Sequence, residues 1–264
     1  MIPLAGHTGS YCPYSFDDAL AGLAAAGYRG VELAAVPGAT EHVDVHADPG
    51  EVRAKLEHHG LEAVSISGHS ELTTRKGLDH GLAVVAWAER FGLPVVNTAI
   101  GGHAHVEESE EAFLENIVPL ADAAERAGVV IALEVHGDLM ASGARSLPLL
   151  DRIGHPAVKV NYDTANVEYY SGERAEDDLP AIADRVAHVH LKDTTGGRGV
   201  WDFPAIGQGR VDFGRVVAIL RDAGFEGPFS VEVEFKGGEP WPPLDAVTDA
   251  MRASRETLAP LGLS

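Results

Sequence analysis

Short apolar runs alternate with amphipathic segments along the whole chain. The apolar runs are β-branched and continuous, as expected for parallel strands that are covered on both faces. They predict strands at Ile2–Leu4, Gly30–Leu33, Ala63–Ser67, Pro94–Thr98, Val129–Glu134, Val158–Tyr162, Val186–Leu191 and Phe229–Glu234. The segments between them predict helices at Phe16–Ala26, Pro49–His59, Gly77–Phe91, Glu110–Ala127, Leu147–Ile153, Leu179–Arg185, Phe213–Ala223 and Ala246–Leu258.

The order of these elements predicts an α/β fold, a single (β/α)₈ TIM barrel. Glycine follows several of the helices, where a left-handed residue ends a helix before the next strand. The 264 residues allow about 33 residues for each of eight strand–helix units, which is the usual size of such a unit. We expect one domain over residues 1–264. An open doubly wound sheet is the alternative, but the first predicted strand is not followed by a G-x-G-x-x-G turn.

Composition and charge limit the classes of ligand that we expect the protein to bind. The chain has 45% hydrophobic residues, and its 20 Lys and Arg against 40 Asp and Glu give a net charge of −20. Nucleic-acid binding needs basic residues that displace counterions, so a nucleic-acid partner is not expected and small molecules are favoured. Every apolar run is too short to span a membrane, and the first residues lack a signal-peptide pattern. Cys12 is the only cysteine, and we expect a cytoplasmic protein.

Polar and ionisable residues occupy nearly every predicted strand end. In a TIM barrel these ends and the loops after them line the active site. The residues are His7, Glu32, His69, Asn97, Glu134, His136, Asp163, His190, Lys192, Asp193, Glu232 and Glu234.

The second half of the chain predicts a metal site on this rim. Three carboxylates and one imidazole suit Mn²⁺, Mg²⁺ or Co²⁺, and a bound cation relieves the repulsion between the carboxylates. His190 is preferred to His188 because it is nearer the strand end, whereas the choice between Glu232 and Glu234 stays open. The predicted ligands are Glu134, Asp163, His190 and Glu232. Taken singly, each has an ordinary structural role as an alternative, such as helix capping by Asp163.

Other polar residues are candidates for catalysis and substrate binding. His136 follows Glu134 by two residues and faces the same cavity, so it is a candidate general base or substrate ligand. His7 and His69 are candidates for the opposite wall. Lys192 is a candidate to neutralise a substrate oxyanion, and His103 lies in a loop that is a candidate cover for the site.

Several motifs together resemble the xylose isomerase-like TIM barrels, a family of sugar isomerases, epimerases and related dehydratases. They are Gly27–Leu33, Leu133–His136, Tyr162–Asp163, His188–Asp193, Gly207–Phe213 and Gly227–Glu232, in the family's order. The resemblance implies that Glu134, Asp163, His190 and Glu232 bind one divalent ion, with Mn²⁺ preferred over Mg²⁺ or Co²⁺. It also implies that Glu134 and Glu232 exchange protons with a sugar from its two faces.

The chain departs from the ketose 3-epimerases of this family at three positions. Met140 stands where they carry a second Glu, Gly196 where they carry an Arg, and Asn166 where they carry a His. Arg198 is the candidate replacement for the Arg, and Asn166 remains a candidate substrate contact. The Lys-Asp pair after His190 is similar instead to inosose dehydratases and to relatives that eliminate an aglycone from 3-oxo-glycosides, including C-glycosides.

Four hypotheses follow. The first is a metal-dependent isomerase or epimerase that abstracts a proton next to the carbonyl of a keto-sugar or a polyol-derived ketone. The second is a lyase or dehydratase using the same site, with His136 as a suitable base. An AP endonuclease-like hydrolase is third, opposed by the charge of −20, and a non-catalytic sugar-binding subunit is fourth. A homo-oligomer or a small partner subunit is compatible with the resemblance.

Overall fold

A computed structural model describes residues 4–101 and 109–263. The strands are β1 Leu4–His7, β2 Gly30–Ala34, β3 Glu62–Ser67, β4 Val95–Thr98, β5 Val130–Glu134, β6 Val158–Asp163, β7 Val186–Leu191, β8 Asp202–Phe203, β9 Phe229–Val231 and β10 Phe235–Lys236. Eight of them form a closed parallel barrel in the order β1-β2-β3-β4-β5-β6-β7-β9, with β9 pairing back to β1. The predicted (β/α)₈ TIM barrel is confirmed.

Helices connect the barrel strands and cover the outside of the barrel. They are α1 Phe16–Ala26, α2 Pro49–His59, α3 Arg75–Phe91, α4 Glu110–Ala127, α5 Gly143–Ile153, α6 Thr164–Tyr170, α7 Ala175–Asp178, α8 Phe213–Asp222 and α9 Leu244–Leu258. Their ends follow local sequence signals. Ser15 and Asp18 form a reciprocal capping box at the start of α1, and Gly27 ends that helix with a φ of 91°.

The first strand differs from the prediction. The described part of this strand runs from Leu4 to His7 rather than ending at Leu4, so His7 is the last residue of the strand and its side chain lies at the barrel rim. Residues 1–3 lie outside the described range. Turn signals begin only at Thr8, where a short 3₁₀ turn follows the strand.

The connection between β6 and β7 also differs from the prediction. The segment 179–185 forms two short 3₁₀ turns instead of a regular helix, and Pro180 lies in the first of them. Helix α6 was not among the predicted helices, although helix capping was named as the alternative role of Asp163, and the helix begins directly after that residue. The Asp163 carboxylate accepts the backbone N–H groups of Ala165 and Asn166, which provides an N-cap.

A small second sheet covers part of the barrel mouth. β8 pairs antiparallel with β10, joining Phe203 to Phe235 in the register. Phe203 is buried. No helix in the described ranges, 4–101 and 109–263, is long and apolar enough to cross a membrane.

Strand register brings the polar strand ends to a common level. His7 pairs in register with Glu32, Glu134 with Asn161, and Asp163 with His190. All of these residues lie at or near the carboxyl ends of parallel strands, so their side chains project into the same region. The barrel thereby assembles one polar site from residues far apart in sequence.

Candidate metal centre and active-site cavity

His190 lies at the centre of the carboxylates on the barrel rim. Its Nδ1 lies 3.2 Å from Glu134 Oε2, 3.5 Å from Glu232 Oε2 and 3.9 Å from Asp163 Oδ2. His190 and Asp163 are fully buried, and Glu134 is nearly so. The structure therefore brings together the four side chains that the sequence singled out as metal ligands.

The donor set fits a divalent cation. Asp163 Oδ1 accepts two backbone N–H groups, whereas its buried Oδ2 has no hydrogen-bond partner. One ligand atom from each of Glu134, Asp163 and His190 lies within 4.8 Å of the others. Buried carboxylate oxygens without donors are costly, and a hard cation with oxygen and imidazole ligands satisfies them. A second group of this kind consists of His7, Glu32 and His190.

Lys192 distinguishes the two glutamates that follow β9. Its Nζ contacts Glu234 and lies 3.1 Å from Glu232 Oε2 and 3.5 Å from Asp163 Oδ2. Glu232 also lies against His190, while the ion pair of Glu234 is with Lys192. This geometry favours Glu232 as the fourth ligand. It leaves Glu234 as the counter-ion of the buried lysine.

Burial and mutual repulsion shape the charges of the site. Burial, with Glu134 and Glu232 nearby, raises the pKa of Asp163 to about 7 against the opposing effect of Lys192. Burial alone would raise the pKa of Glu134, but His69 and His190 hold it well below its usual range. Carboxylates crowded in this way favour a positive partner, either a proton or a metal ion.

His188 lies one layer deeper than His190 and has a different environment. Its Nε2 lies 3.0 Å from Ser65 Oγ, and its Nδ1 lies 3.0 Å from Asn161 Oδ1. Burial lowers the pKa of His188 to about 4, so the ring is neutral near pH 7. His188 Nε2 also lies 3.7 Å from Glu32 Oε2, whereas His190 is the imidazole of this pair that contacts Glu134, Asp163 and Glu232.

A cavity of about 550 Å³ opens above the cluster. His7, His69, His136, Glu232 and Glu234 are among the residues that line it. His69 Nε2 lies 3.1 Å from Glu134 Oε2, and His7 Nδ1 lies 3.2 Å from Glu232 Oε1. Glu134 and Glu232 therefore each contact a histidine that lines the cavity. The volume is within the usual range for small-molecule sites.

Of the other predicted site residues, Asn166 and His136 lie in the site, whereas Arg198 does not line the cavity. Asn166 Nδ2 donates a 2.8 Å hydrogen bond to Glu134 Oε1, and the ring of His136 lies 5.1 Å from that of Tyr170. Arg198 is exposed and is not among the residues that line the cavity. His103 falls outside the described residues.

Sequence reasoning missed several residues of the site. Asn161 Nδ2 donates to Glu134 Oε2 at 3.2 Å, and Asn161 precedes Asp163 by two residues on the same strand face. That period of two was a usable signal. The cavity is also lined by Trp241, by residues 36–40 of the loop after β2, and by Ser70, Glu71, Thr74, Lys76 and Gly77 in the loop after β3 and the start of α3. No motif in the sequence marks those loops.

Comparison with known proteins agrees with this arrangement. A family model described as xylose isomerase-like TIM barrel matches residues 20–257. The chain belongs to this family. Its motifs, its barrel and the cluster around His190 are thus consistent with one another.

One curated relative is an epimerase. The L-ribulose-5-phosphate 3-epimerase UlaE of Salmonella typhi is 24% identical over 172 residues, which is 64% of this chain and 60% of that protein. The chain thus matches about three-fifths of the length of that relative.

Solved structures share the fold. A xylose isomerase-like TIM barrel protein from Mycobacterium smegmatis in complex with magnesium has a TM-score of 0.78, 16% identity and coverage of 99% of this chain and 96% of that one. The probable 3-DHS dehydratase AsbF from Bacillus anthracis has a TM-score of 0.74, 18% identity and coverage of 98% and 99%. One fold thus carries an epimerase, a magnesium-bound protein and a probable dehydratase.

Proposed function

We propose that this protein is a divalent-metal-dependent isomerase or epimerase that moves a proton at the carbon next to the carbonyl of a keto-sugar. The convergence of Glu134, Asp163 and Glu232 on Nδ1 of His190 beneath a cavity carries the proposal. The family and the epimerase relative support the same reaction class.

The four residues Glu134, Asp163, His190 and Glu232 would hold the ion. When bound, Mn²⁺ or Mg²⁺ at this position polarises a carbonyl and stabilises developing negative charge on oxygen. The experimental magnesium complex of a fold relative supports an ion of this type.

Glu134 and Glu232 are proposed to exchange the proton. They project from β5 and from the segment after β9, so they approach the cavity from different strands. Burial alone would raise the pKa of Glu232, but Lys192, His190 and His7 outweigh this effect and lower it. Both carboxylates are thus held in the ionised form that abstracts a proton.

Substrate contacts are proposed for the remaining polar residues. His7 and His69 line the cavity beside the two glutamates, and Lys192 and Asn166 lie next to them. Lys192 supplies positive charge for an oxyanion, and burial, which alone would lower its pKa, is outweighed by Glu232, Glu234 and Asp163, which raise it. Arg198 and His103 remain sequence predictions.

A lyase or dehydratase is the second candidate, and His136 is the observation that favours it. Its ring lines the cavity 6.3 Å from the ring of His69 and adjoins Tyr170. A two-glutamate epimerase has no need of this further acid or base, whereas an elimination needs a group that protonates the leaving oxygen. The dehydratase among the fold relatives is compatible with this candidate.

Proton exchange in D₂O separates the two candidates. The Mn²⁺-loaded protein is incubated with ketopentoses, ketohexoses and 3-keto-glycosides, and NMR follows deuterium entry beside the carbonyl. Epimerisation retains the sugar and inverts one carbon, while elimination releases water or an aglycone that mass spectrometry detects. We expect Glu134→Gln and Glu232→Gln to lower exchange by about 10²–10⁴-fold.

Glu168→Gln is the control, because Glu168 is a buried glutamate, like Glu134, but pairs with Arg210 and Arg174. Unchanged exchange in the Glu134 and Glu232 variants would overturn the assignment of the acid/base pair. Absence of exchange and of elimination across the panel would reject the proposed reaction.

A further inference from the structure

Glu32 is a completely buried carboxylate beneath the rim of the barrel, and no role in the reaction has yet been given to it. Its Oε2 lies 3.0 Å from Nε2 of His190, and its Oε1 accepts a hydrogen bond from Nδ2 of Asn97. Both oxygens of this carboxylate are therefore engaged, and its plane is fixed from two directions.

The two ring nitrogens of His190 face different carboxylates. Nε2 faces Glu32, while Nδ1 faces Glu134, Glu232 and Asp163. A neutral imidazole carries one N–H and one lone pair. When a cation lies between Glu134, Asp163 and Glu232, it takes the lone pair of Nδ1, and the carboxylate beside Nε2 then stabilises the N–H on that nitrogen.

We propose that Glu32 is the positioning residue of the metal centre: it holds His190 in the Nε2–H tautomer and aims Nδ1 at the ion. Asn97 completes the arrangement by fixing the orientation of Glu32. This inference rests on the proposed metal site. It assigns to the middle of β2 a function in metal affinity, although Glu32 itself does not contact the ion.

A second metal ion held by His7, Glu32 and His190 is the competing interpretation of the same residues. It would require His190 to bind two cations at once, and a neutral imidazole has only one lone pair. Asn97 also directs an N–H donor at Glu32, which uses one carboxylate oxygen for a hydrogen bond. The geometry therefore favours one ion and a hydrogen-bonded Glu32.

Mn²⁺ titration of metal-stripped Glu32→Gln tests the proposal. We expect one Mn²⁺ per chain in the wild type and a dissociation constant about 10–100-fold larger in the variant, as for the loss of other groups that orient a metal ligand. Glu168→Gln is the matched control, a buried Glu→Gln change away from His190, and should leave the Mn²⁺ affinity unchanged.

The tautomer of His190 gives a readout that a purely structural role would not change. In Mg²⁺-loaded wild-type protein labelled with ¹⁵N-histidine, the His190 signals should show a protonated Nε2 and an Nδ1 without a proton. This measurement needs no variant, so it tests the proposal even if Glu32→Gln fails to fold. In a folded Glu32→Gln protein the preference for the Nε2–H form should be reduced.

The outcomes are separable. If the wild type binds no Mn²⁺, the proposed metal site itself is rejected. If it binds one ion with an affinity that Glu32→Gln does not change, or if Nδ1 carries the proton in the Mg²⁺-loaded protein, only the role of Glu32 is rejected. Two ions in the wild type and one in Glu32→Gln would instead make Glu32 a ligand of a second ion.

Discussion

Asp193 connects the end of β7 to the loop that covers the barrel mouth, and it offers a quantitative test of the structure. Its Oδ1 accepts the N–H groups of Thr194 and Val211 at 2.9 and 3.2 Å, and its Oδ2 accepts those of Gly207 and Gly209 at 2.9 and 2.8 Å. The residue is 1% exposed. One buried carboxylate thus ties together both ends of the segment 194–211.

Asp193→Asn keeps the size of the side chain but replaces one acceptor oxygen with an NH₂ group. Two backbone N–H groups then face a donor instead of an acceptor. Each lost hydrogen bond to a charged group costs about 1.5–3 kcal/mol, so the free energy of unfolding should fall by about 3–6 kcal/mol. Phe203, whose ring lies 4.5 Å from Lys192 Nζ, is part of the released segment.

Urea unfolding followed by circular dichroism measures this change, and trypsin cleavage after Arg198 and Arg210 should become faster as the loop loosens. Asp212→Asn is the matched control. Asp212 is exposed and accepts only the N–H of Arg215, at 2.9 Å, and asparagine caps helices as well as aspartate does. A loss in Asp193→Asn no larger than that of this control would refute the role of Asp193.

Three further changes test the site and the core. Adding Mn²⁺ at about 100 times its dissociation constant should stabilise the wild type by about 2.7 kcal/mol in thermal unfolding. Asp163→Ala should abolish this stabilisation. An equal stabilisation of the variant would contradict the role of Asp163 as a metal ligand. Trp87→Ala should lower the free energy of unfolding by about 3–5 kcal/mol, since Trp87 is fully buried, and a loss below 1 kcal/mol in urea titration would argue against the packing. A Cβ at Gly77 would lie 1.9 Å from the carbonyl oxygen of Glu71. Gly77→Ala should therefore shift the loop after β3 and lower the melting temperature. An unchanged melting temperature would contradict the close approach of Gly77 to Glu71.

The sequence was sufficient for the barrel because its signals were local and repeated. Continuous apolar runs, helices followed by glycine and strand ends bearing polar residues each depend on a few neighbouring positions. The same reasoning selected His190 over His188, and the structure places His188 between Ser65 and Asn161. A period of two along one strand contains that information.

Long-range contacts were outside the reach of such reasoning. Glu32 meets His190 across 158 positions of the chain, and no local pattern indicates which strand end will face which. The different roles of Glu232 and Glu234 depend on Lys192, whose Nζ contacts both carboxylates. Helix α6 was foreseen only as the alternative role of Asp163, because its start depends on how that side chain turns back onto the backbone.

The pairing of β1 with β9 determines how the protein responds to the loss of a barrel strand. A ring of strands presents no free backbone donors or acceptors to a neighbouring molecule. Loss of β1 or β9 would open the barrel and leave two edge strands, whose unpaired backbone N–H and C=O groups could pair with other chains. Damage to Leu4–His7 should therefore appear as aggregation and not as a smaller working protein.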